Sequence, residues 1–483
     1  MKTFSESFGN TDKQHRLLTE KVAVQHPAMI PMRGRKGGET ARVPHVGRLK
    51  EEQEDIPVMF ANTQRRGRIV GGLAIAAVAA LALSACSGGG DTGDGGDSGD
   101  GASTLTMWSR AATQIQSQAF VDTYNAKGGD QIELTIIPTD DYQAKVGAAA
   151  GSKSLPDLFA SDVVFVPNYT SQGLYLDITD RIDALPFAAD LAQSHIETGT
   201  WEGAKYVVPH TMDLSVLFYN KDLYTQAGLD PEKPPTTLAE FDEQARAVDA
   251  LGGDISGTYF GGNCGGCMVF TGFPWIWGAG GEVMNDEGTE SLLASDDAKE
   301  FYSVYRGLAA DGIAGPGTPD ETGATWVAPF PEGTIGVMPM PSTMLGSMPE
   351  NTGVAPIPGI DGGESTFVGG DAIGISATSK NADAAWKFLE WTLGDEAQID
   401  VLAKNNDVVA RTDLAVNEYS EKDPRVVTIN EVAGKGKTPY SLNFGAAFND
   451  PNGPWLVLFR NAVLGDGSSI DADNEALTAV LGG

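Results

Sequence analysis

The stretch Tyr206-Val207-Val208-Pro209-His210-Thr211-Met212-Asp213-Leu214-Ser215-Val216-Leu217-Phe218-Tyr219-Asn220-Lys221-Asp222 most constrains what this chain can build. Two short apolar runs, rich in Val, Phe and Tyr, have the composition of strands, and the polar segment between them opens on Pro209. Proline donates no ladder hydrogen bond, so the stretch reads as a chain leaving one sheet and entering the next. Asp213 then sits at the crossover, facing a cleft between two lobes. A plain strand, bulge and strand with Asp213 in solvent fits the same spacing.

Strand and helix alternate from Thr104 onward. Leu105-Thr106-Met107-Trp108 is a first strand, and Thr113 to Asn125 a helix with Ile115, Ala119, Phe120 and Tyr124 on one face, ended by Gly128-Gly129. Gln131 to Pro138 and Pro156 to Ala160 read as further strands, with a helix from Tyr142 to Ala150 between them. Strands separated by helices imply an α/β fold with a largely parallel sheet, whose ligands gather at the carboxyl ends of the strands. That rule points at Trp108, Ser109, Arg110, Ser161 and Asp162. Beyond the crossover, Thr237-Leu238-Ala239-Glu240 is a capping box, Ile255 to Gly261 a strand, and Ser295 the cap of a helix. Thr334 to Met338 leads as a strand into Pro339-Met340-Pro341-Ser342, and Gly369-Gly370-Asp371 marks another return between lobes.

The N-terminal fifth is organised differently. Residues 69–82 are an apolar run preceded by Arg65, Arg66 and Arg68 and followed by Leu83-Ser84-Ala85-Cys86, the layout of a secretory signal too short for a comfortable membrane span. Leu-Ser-Ala-Cys resembles a bacterial lipobox, which implies cleavage before Cys86 and its lipidation, palmitate included, at the outer face of the cell membrane. Residues 59–85 are then the signal peptide, 86–102 a Gly/Asp-rich tether, and 1–58 either disordered or upstream of a true start at Met59. The formal net charge is −32, and the segment ahead of Cys86 is itself net basic, so the exported part is more acidic still. Nucleic acid and anionic membrane surfaces are excluded as partners on that ground.

Two other cysteines remain, in Cys264-Gly265-Gly266-Cys267. Zinc needs two more ligands than the local sequence offers, and glycine on both sides speaks against the helix N-terminus that a redox Cys-x-x-Cys wants. A small-loop disulfide, permitted outside the cell, is the favoured expectation.

Tyr-x-x-Pro followed by Asp213 and by Leu214-x-x-x-Phe218-Tyr219-Asn220-Lys221-Asp222 resembles the first interlobe crossover of the solute-binding proteins of ATP-binding-cassette sugar importers, the maltose-binding-protein-like family. Gly369-Gly370-Asp371 before Ile373-Gly374-Ile375, the helix carrying Ala384-Ala385-Trp386-Lys387-Phe388-Leu389, and Asp395-Glu396-Ala397-Gln398 follow in family order, so the resemblance covers nearly all of 104–483. It implies a type II periplasmic-binding-protein fold: two lobes, a hinge and an interlobe ligand cleft, with 103–212 and 322–369 in the N-terminal lobe and 213–321 and 370–483 in the C-terminal lobe. It also implies a monomer with no cofactor or bound metal, handing a mono- or oligosaccharide to the permease subunits of an importer.

Sugars ask for flat aromatic faces and for groups that satisfy dense hydroxyls. Trp108, Trp275, Trp277 and Trp326 are the candidate platforms, and Arg110, Asp162, Asp213, Gly370, Asp371 and Arg411 the candidate polar and backbone partners. Two rivals share the fold: polyamine capture in an acid-lined box, and ferric iron, which needs clustered tyrosines where only Tyr219 and Tyr440 offer themselves. A secreted carbohydrate-active enzyme using Asp162 and Asp213 is a third, but no nucleophile elbow, zinc motif or phosphate loop supports it.

Overall fold

A computed structural model describes residues 102–483 of the protein. The signal, Cys86 and most of the tether lie outside the described residues. Seven strands make one sheet: β1 (Thr104–Arg110), β2 (Gln131–Ile137), β3 (Leu158–Asp162), β4 (Val207–Asn220), β5 (Val337–Pro341), β6 (Thr352–Ala355) and β7 (Val368–Ile375). Their order is β2-β1-β3-β7-β4-β5, with β6 also on β4. β1 runs parallel to β2 and β3, whereas β7 is antiparallel to both β3 and β4.

The helices α1 (Gln114–Ala126) and α2 (Thr139–Ser152) cover opposite faces of this sheet, because successive strand residues point to opposite sides. Leu105 and Met107 join Phe120 and Val121 of α1 in one core cluster, while Trp108 borders another that holds Tyr142 and Val146 of α2. Further on come α3 (Leu238–Asp249), α4 (Gly265–Gly278) and α5 (Asp296–Ala310), then α6 (Ala382–Leu393), α7 (Pro454–Val463) and α8 (Ile470–Gly482). The expected capping box is present in shifted form: the Thr237 hydroxyl accepts from the Glu240 amide, and the Glu240 carboxylate accepts from Thr236.

β4 is one continuous strand of 14 residues rather than two short ones. Val207 to Leu214 pair with β7, and from Ser215 the strand pairs with β5 and then β6. Val207 and Val208 enter the two clusters around α1 and α2, while Leu217 and Tyr219 enter the large cluster built by α3, α4, α5, α7 and α8. One strand is therefore shared by both halves of the molecule. Pro209 is accommodated by a bulge, since Thr211 faces Asp371 and Pro209 faces Ala372, which leaves His210 as the extra residue.

β5 and β6, within 322–369, join only the outer half of β4, and α6, within 370–483, packs in the cluster of β1 and α1. Hydrophobic order along the chain could not reveal which half each return serves. Two local expectations also change. Residues 255–261 form isolated bridges instead of a strand, and Ile115 is 73% exposed while Ser117, Phe120 and Val121 face inward.

Candidate functional site

A cavity of about 830 Å³ opens where β4 changes partners. Its floor comes from the strands where they converge: Arg110 at the end of β1, Asp162 at the end of β3, Thr211, Met212 and Asp213 of β4, and Gly369 and Gly370 of β7. The opposite wall is Gly266, Val269 and Phe270 of α4 with Phe367, Phe444 and Asn449, and Gln116, Asn405 and Asp407 close one side. Gly370 sits at φ +103°, and a Cβ there would run into the Thr211 carbonyl, so only glycine lets β7 and β4 approach so closely at this point.

Arg110 is clamped from below. Its Nε donates to Asp371 at 2.9 Å, Nη1 to Asp162 at 3.0 Å, and Nη2 also to Asp371. Thr113 donates to the second Asp371 oxygen at 2.7 Å, and a buried chain of hydroxyls runs on from Thr113 through Ser109 and Ser117 to His210 Nε2. Burial opposes the guanidinium charge, but Asp162 and Asp371 more than offset it, so the Arg110 pKa is raised. A buried ion pair with both partners hydrogen-bonded fixes geometry more than it adds stability. Its effect here is to hold Arg110 and Asp162 in place at the cavity wall.

The remaining acids are less well matched. Burial pushes the Asp213 carboxyl up to about 6, against hydrogen bonds from Ser342 and Thr343, with Asp162 adding a further increment. Burial likewise raises Asp407, which accepts from Gln116 at 2.8 Å. Both therefore have unfilled acceptor capacity toward the cavity. Among the described residues, three carboxyl groups and one arginine line it, and that arginine is already engaged, so an anionic ligand finds no free cation among them.

Of the residues singled out from sequence, Arg110, Asp162, Asp213 and Gly370 are on the wall. Asp371 is fully buried one layer behind, as the partner of Arg110. Trp108 is elsewhere: its ring faces Lys145 Nζ at 4.7 Å on the α2 side of the sheet. Trp275 has no exposed surface and packs 5.0 Å from Phe241, and Trp277 packs edge-on against Phe273, so both are core. Arg411 pairs with Asp395 and Asp413 and lies over Phe187 at 4.0 Å, away from the cavity. The aromatic surface of the cleft belongs instead to Phe270, Phe367 and Phe444. Phe270 precedes Trp275 by five residues on the same helix, and the helical phase, invisible without the packing partner, decided which ring borders the cavity.

Cys264 and Cys267 form a disulfide as expected. The expectation that no helix starts there fails. Cys264 is the N-cap of α4, its Sγ accepting from the Cys267 amide at 3.1 Å, and Gly323 packs against both sulfurs. Among the described residues, no group of three or more His, Cys, Asp and Glu side chains is placed to hold a metal ion, and no helix is long and apolar enough to cross a membrane.

Comparison with known proteins places this geometry in a wider set. The model of a family described as bacterial extracellular solute-binding protein matches residues 111–399. The diacetylchitobiose binding protein DasA of Streptomyces coelicolor is 25% identical over 387 residues, which is 76% of this chain and 87% of that protein. Among solved structures, the cyclic alpha-maltosyl-1,6-maltose binding protein of Arthrobacter globiformis superposes with a TM-score of 0.69 at 24% identity, covering 79% of this chain and all of the other. The sugar-binding protein MalE of Xanthomonas citri gives 0.67 at 19% identity, over 79% and 96% of the two chains. The two-lobed type II architecture is common to them.

Proposed function

This chain belongs to the family of bacterial extracellular solute-binding proteins, and from that premise we propose that it captures a mono- or oligosaccharide outside the cell and delivers it to the permease of an ATP-binding-cassette importer. The observation that carries the reading is the cavity wall: three phenylalanine faces interleaved with Asp213, Asp407, Gln116 and Asn405, groups that accept and donate hydrogen bonds. Apolar ring faces against sugar C–H groups, with carboxylates for the hydroxyls, are what a carbohydrate needs and what an ion does not. The names of the relatives, binders of diacetylchitobiose and of a cyclic maltosyl-maltose, agree with it.

In this reading the chain acts as a monomeric binder rather than an enzyme, held at the membrane through a lipidated Cys86. One lobe comprises β1 to β3, the first half of β4, β7 and α6; the other comprises α3 to α5, β5, β6, α7 and α8. A polyamine, the second reading, would find carboxyl groups at the same wall. The test is a thermal-shift panel of mono- and oligosaccharides, polyamines and glycerophosphodiesters, followed by calorimetry. A saccharide that raises the melting temperature and binds with a defined stoichiometry is the expected result; stabilisation by polyamines alone refutes the assignment.

A further inference from the structure

Behind the cavity floor, a chain of buried side chains joins His210 to Arg110 without a break. His210 Nε2 meets the Ser117 hydroxyl at 2.8 Å, Ser117 meets Ser109 at 2.7 Å, Ser109 meets Thr113 at 3.2 Å, and Thr113 donates to Asp371 Oδ2 at 2.7 Å. Asp371 Oδ1 in turn accepts from Nε and Nη2 of Arg110, which lines the cavity. His210, Ser117, Ser109, Thr113 and Asp371 are each at most 8% exposed, so water is no ready substitute for any of these partners. His210 reaches the chain because it is the residue that the bulge in β4 leaves without a partner on β7, and its ring is turned toward α1, 5.4 Å from Phe120.

Each hydroxyl has one hydrogen to give, and this fixes the direction of the whole chain. Thr113 gives its hydrogen to Asp371, the Arg110 carbonyl at 3.5 Å being the weaker acceptor. It therefore accepts from Ser109, Ser109 accepts from Ser117, and Ser117 accepts from His210 Nε2. In the other tautomer Ser117 would donate to a bare Nε2, and Ser109 to Ser117. Ser109 and Thr113 would then face each other with no hydrogen between them, or Thr113 would turn to Ser109 and leave Asp371 Oδ2 without its donor. That tautomer would also put a hydrogen on Nδ1, which is buried and has no partner. We infer that His210 is a positioning residue of the ligand site: with its hydrogen on Nε2, it starts a one-way relay that delivers a hydrogen bond to Asp371 and so holds the carboxylate that orients Arg110 at the cavity. The effect on affinity rests on the carbohydrate reading of that cavity; the relay itself does not.

The test begins with the ring. Long-range proton–nitrogen NMR spectra of the unliganded wild type, with the His210 signals assigned by their loss in His210→Gln, report which nitrogen carries the hydrogen. Nε2 is expected, and a hydrogen on Nδ1 overturns the relay. Solvent exchange of the Arg110 Nε–H is expected to speed up in Ser117→Ala and His210→Asn, which cut the relay, and to stay near wild type in His210→Gln, whose amide reaches the place of Nε2. Calorimetry with maltose, diacetylchitobiose and mannobiose is expected to show roughly threefold to tenfold weaker binding by the first two variants of whichever sugar binds the wild type, with His210→Gln again near wild type. Ser117→Ala leaves the ring in place and decides the matter should the ring variants not fold. Equal effects of Gln and Asn, or unchanged exchange and affinity in Ser117→Ala, overturn the relay and leave the ring a packing role alone. Failure of all three sugars to bind the wild type counts against the carbohydrate reading, while the tautomer and the Arg110 exchange still decide the relay.

Discussion

Asp213 is the residue in which position and chemistry are most tightly coupled. Its carboxyl titrates near 6 because burial penalises the charge, and a ligand hydroxyl would be accepted by the charged form. Affinity is therefore expected to strengthen as pH rises to about 6 and then level off, weakening by up to tenfold per unit below that. In Asp213→Asn the dependence should shrink to what Asp162 and Asp407, also raised by burial, contribute, and affinity fall by about 1–3 kcal/mol, measured by calorimetry from pH 5 to 8. Stability of the unliganded protein carries opposing contributions. A carboxyl raised in the fold stabilises it below the unfolded value, and that contribution is lost as pH climbs from about 4 to 6. Burial depresses His195 and His210 to about 4, so their contribution is present above their usual value near 6.5 and is lost as pH falls through about 4. Comparing Asp213→Asn with the wild type in urea melts separates the two.

At the scale of elements, β4 and α4 position the cleft. β4 carries Asp213 one residue before it exchanges β7 for β5, and the tight approach of β7 just there depends on Gly370. Gly370→Ala combines a φ of +103° with a backbone collision, so an unfolding free energy lower by about 1–3 kcal/mol is expected in denaturant titration, with weaker ligand binding. α4 begins at the disulfide and presents Gly266, Val269 and Phe270 to the cavity. Closing so small a loop restricts the unfolded chain by about 2 kcal/mol. A Cys264→Ser/Cys267→Ser variant should lose stability on that scale in the same titration, and the wild type should lose it when dithiothreitol is added. Serine keeps an N-cap oxygen, so α4 itself should survive, as read by circular dichroism.

For the whole molecule, the groups that face each other beside the cavity are already touching. Val163 and Val164 after β3 belong to the same core cluster as Phe444 and Phe448, Asn168 donates to the Leu442 carbonyl at 3.1 Å, and Phe165 meets Phe444 edge-on at 6.5 Å. These contacts hold the two sides of the seam together, and a ligand can move an equilibrium between arrangements only by its preference for one of them. Asn168→Ala with Phe165→Ala should shift the unliganded protein toward a larger radius of gyration in small-angle scattering. Affinity should fall although neither side chain lines the cavity described above. An unchanged radius and affinity would mean that closure does not depend on this seam.

The alternation of strands and helices, the crossover at Asp213 and the disulfide were all legible in the sequence, because each rests on local chemistry: periodicity, a proline, two cysteines in an export context. The polar floor was legible for the same reason, since strand ends converge in any such sheet. The aromatic wall was not. Trp108, Trp275 and Trp277 have the right residue type, yet which ring of a helix or strand faces a cleft depends on what packs behind it, and here Trp275 and Trp277 fill a core and Trp108 lies on the α2 side of the sheet, while Phe270 and the largely buried Phe367 and Phe444 form the cavity wall. The pairing of β5 and β6 with β4 and the packing of α6 against β1 and α1 were decided the same way. Sequence fixes what each segment can become, but contacts between residues more than a hundred positions apart choose its partner, and that choice is a property of the packed molecule.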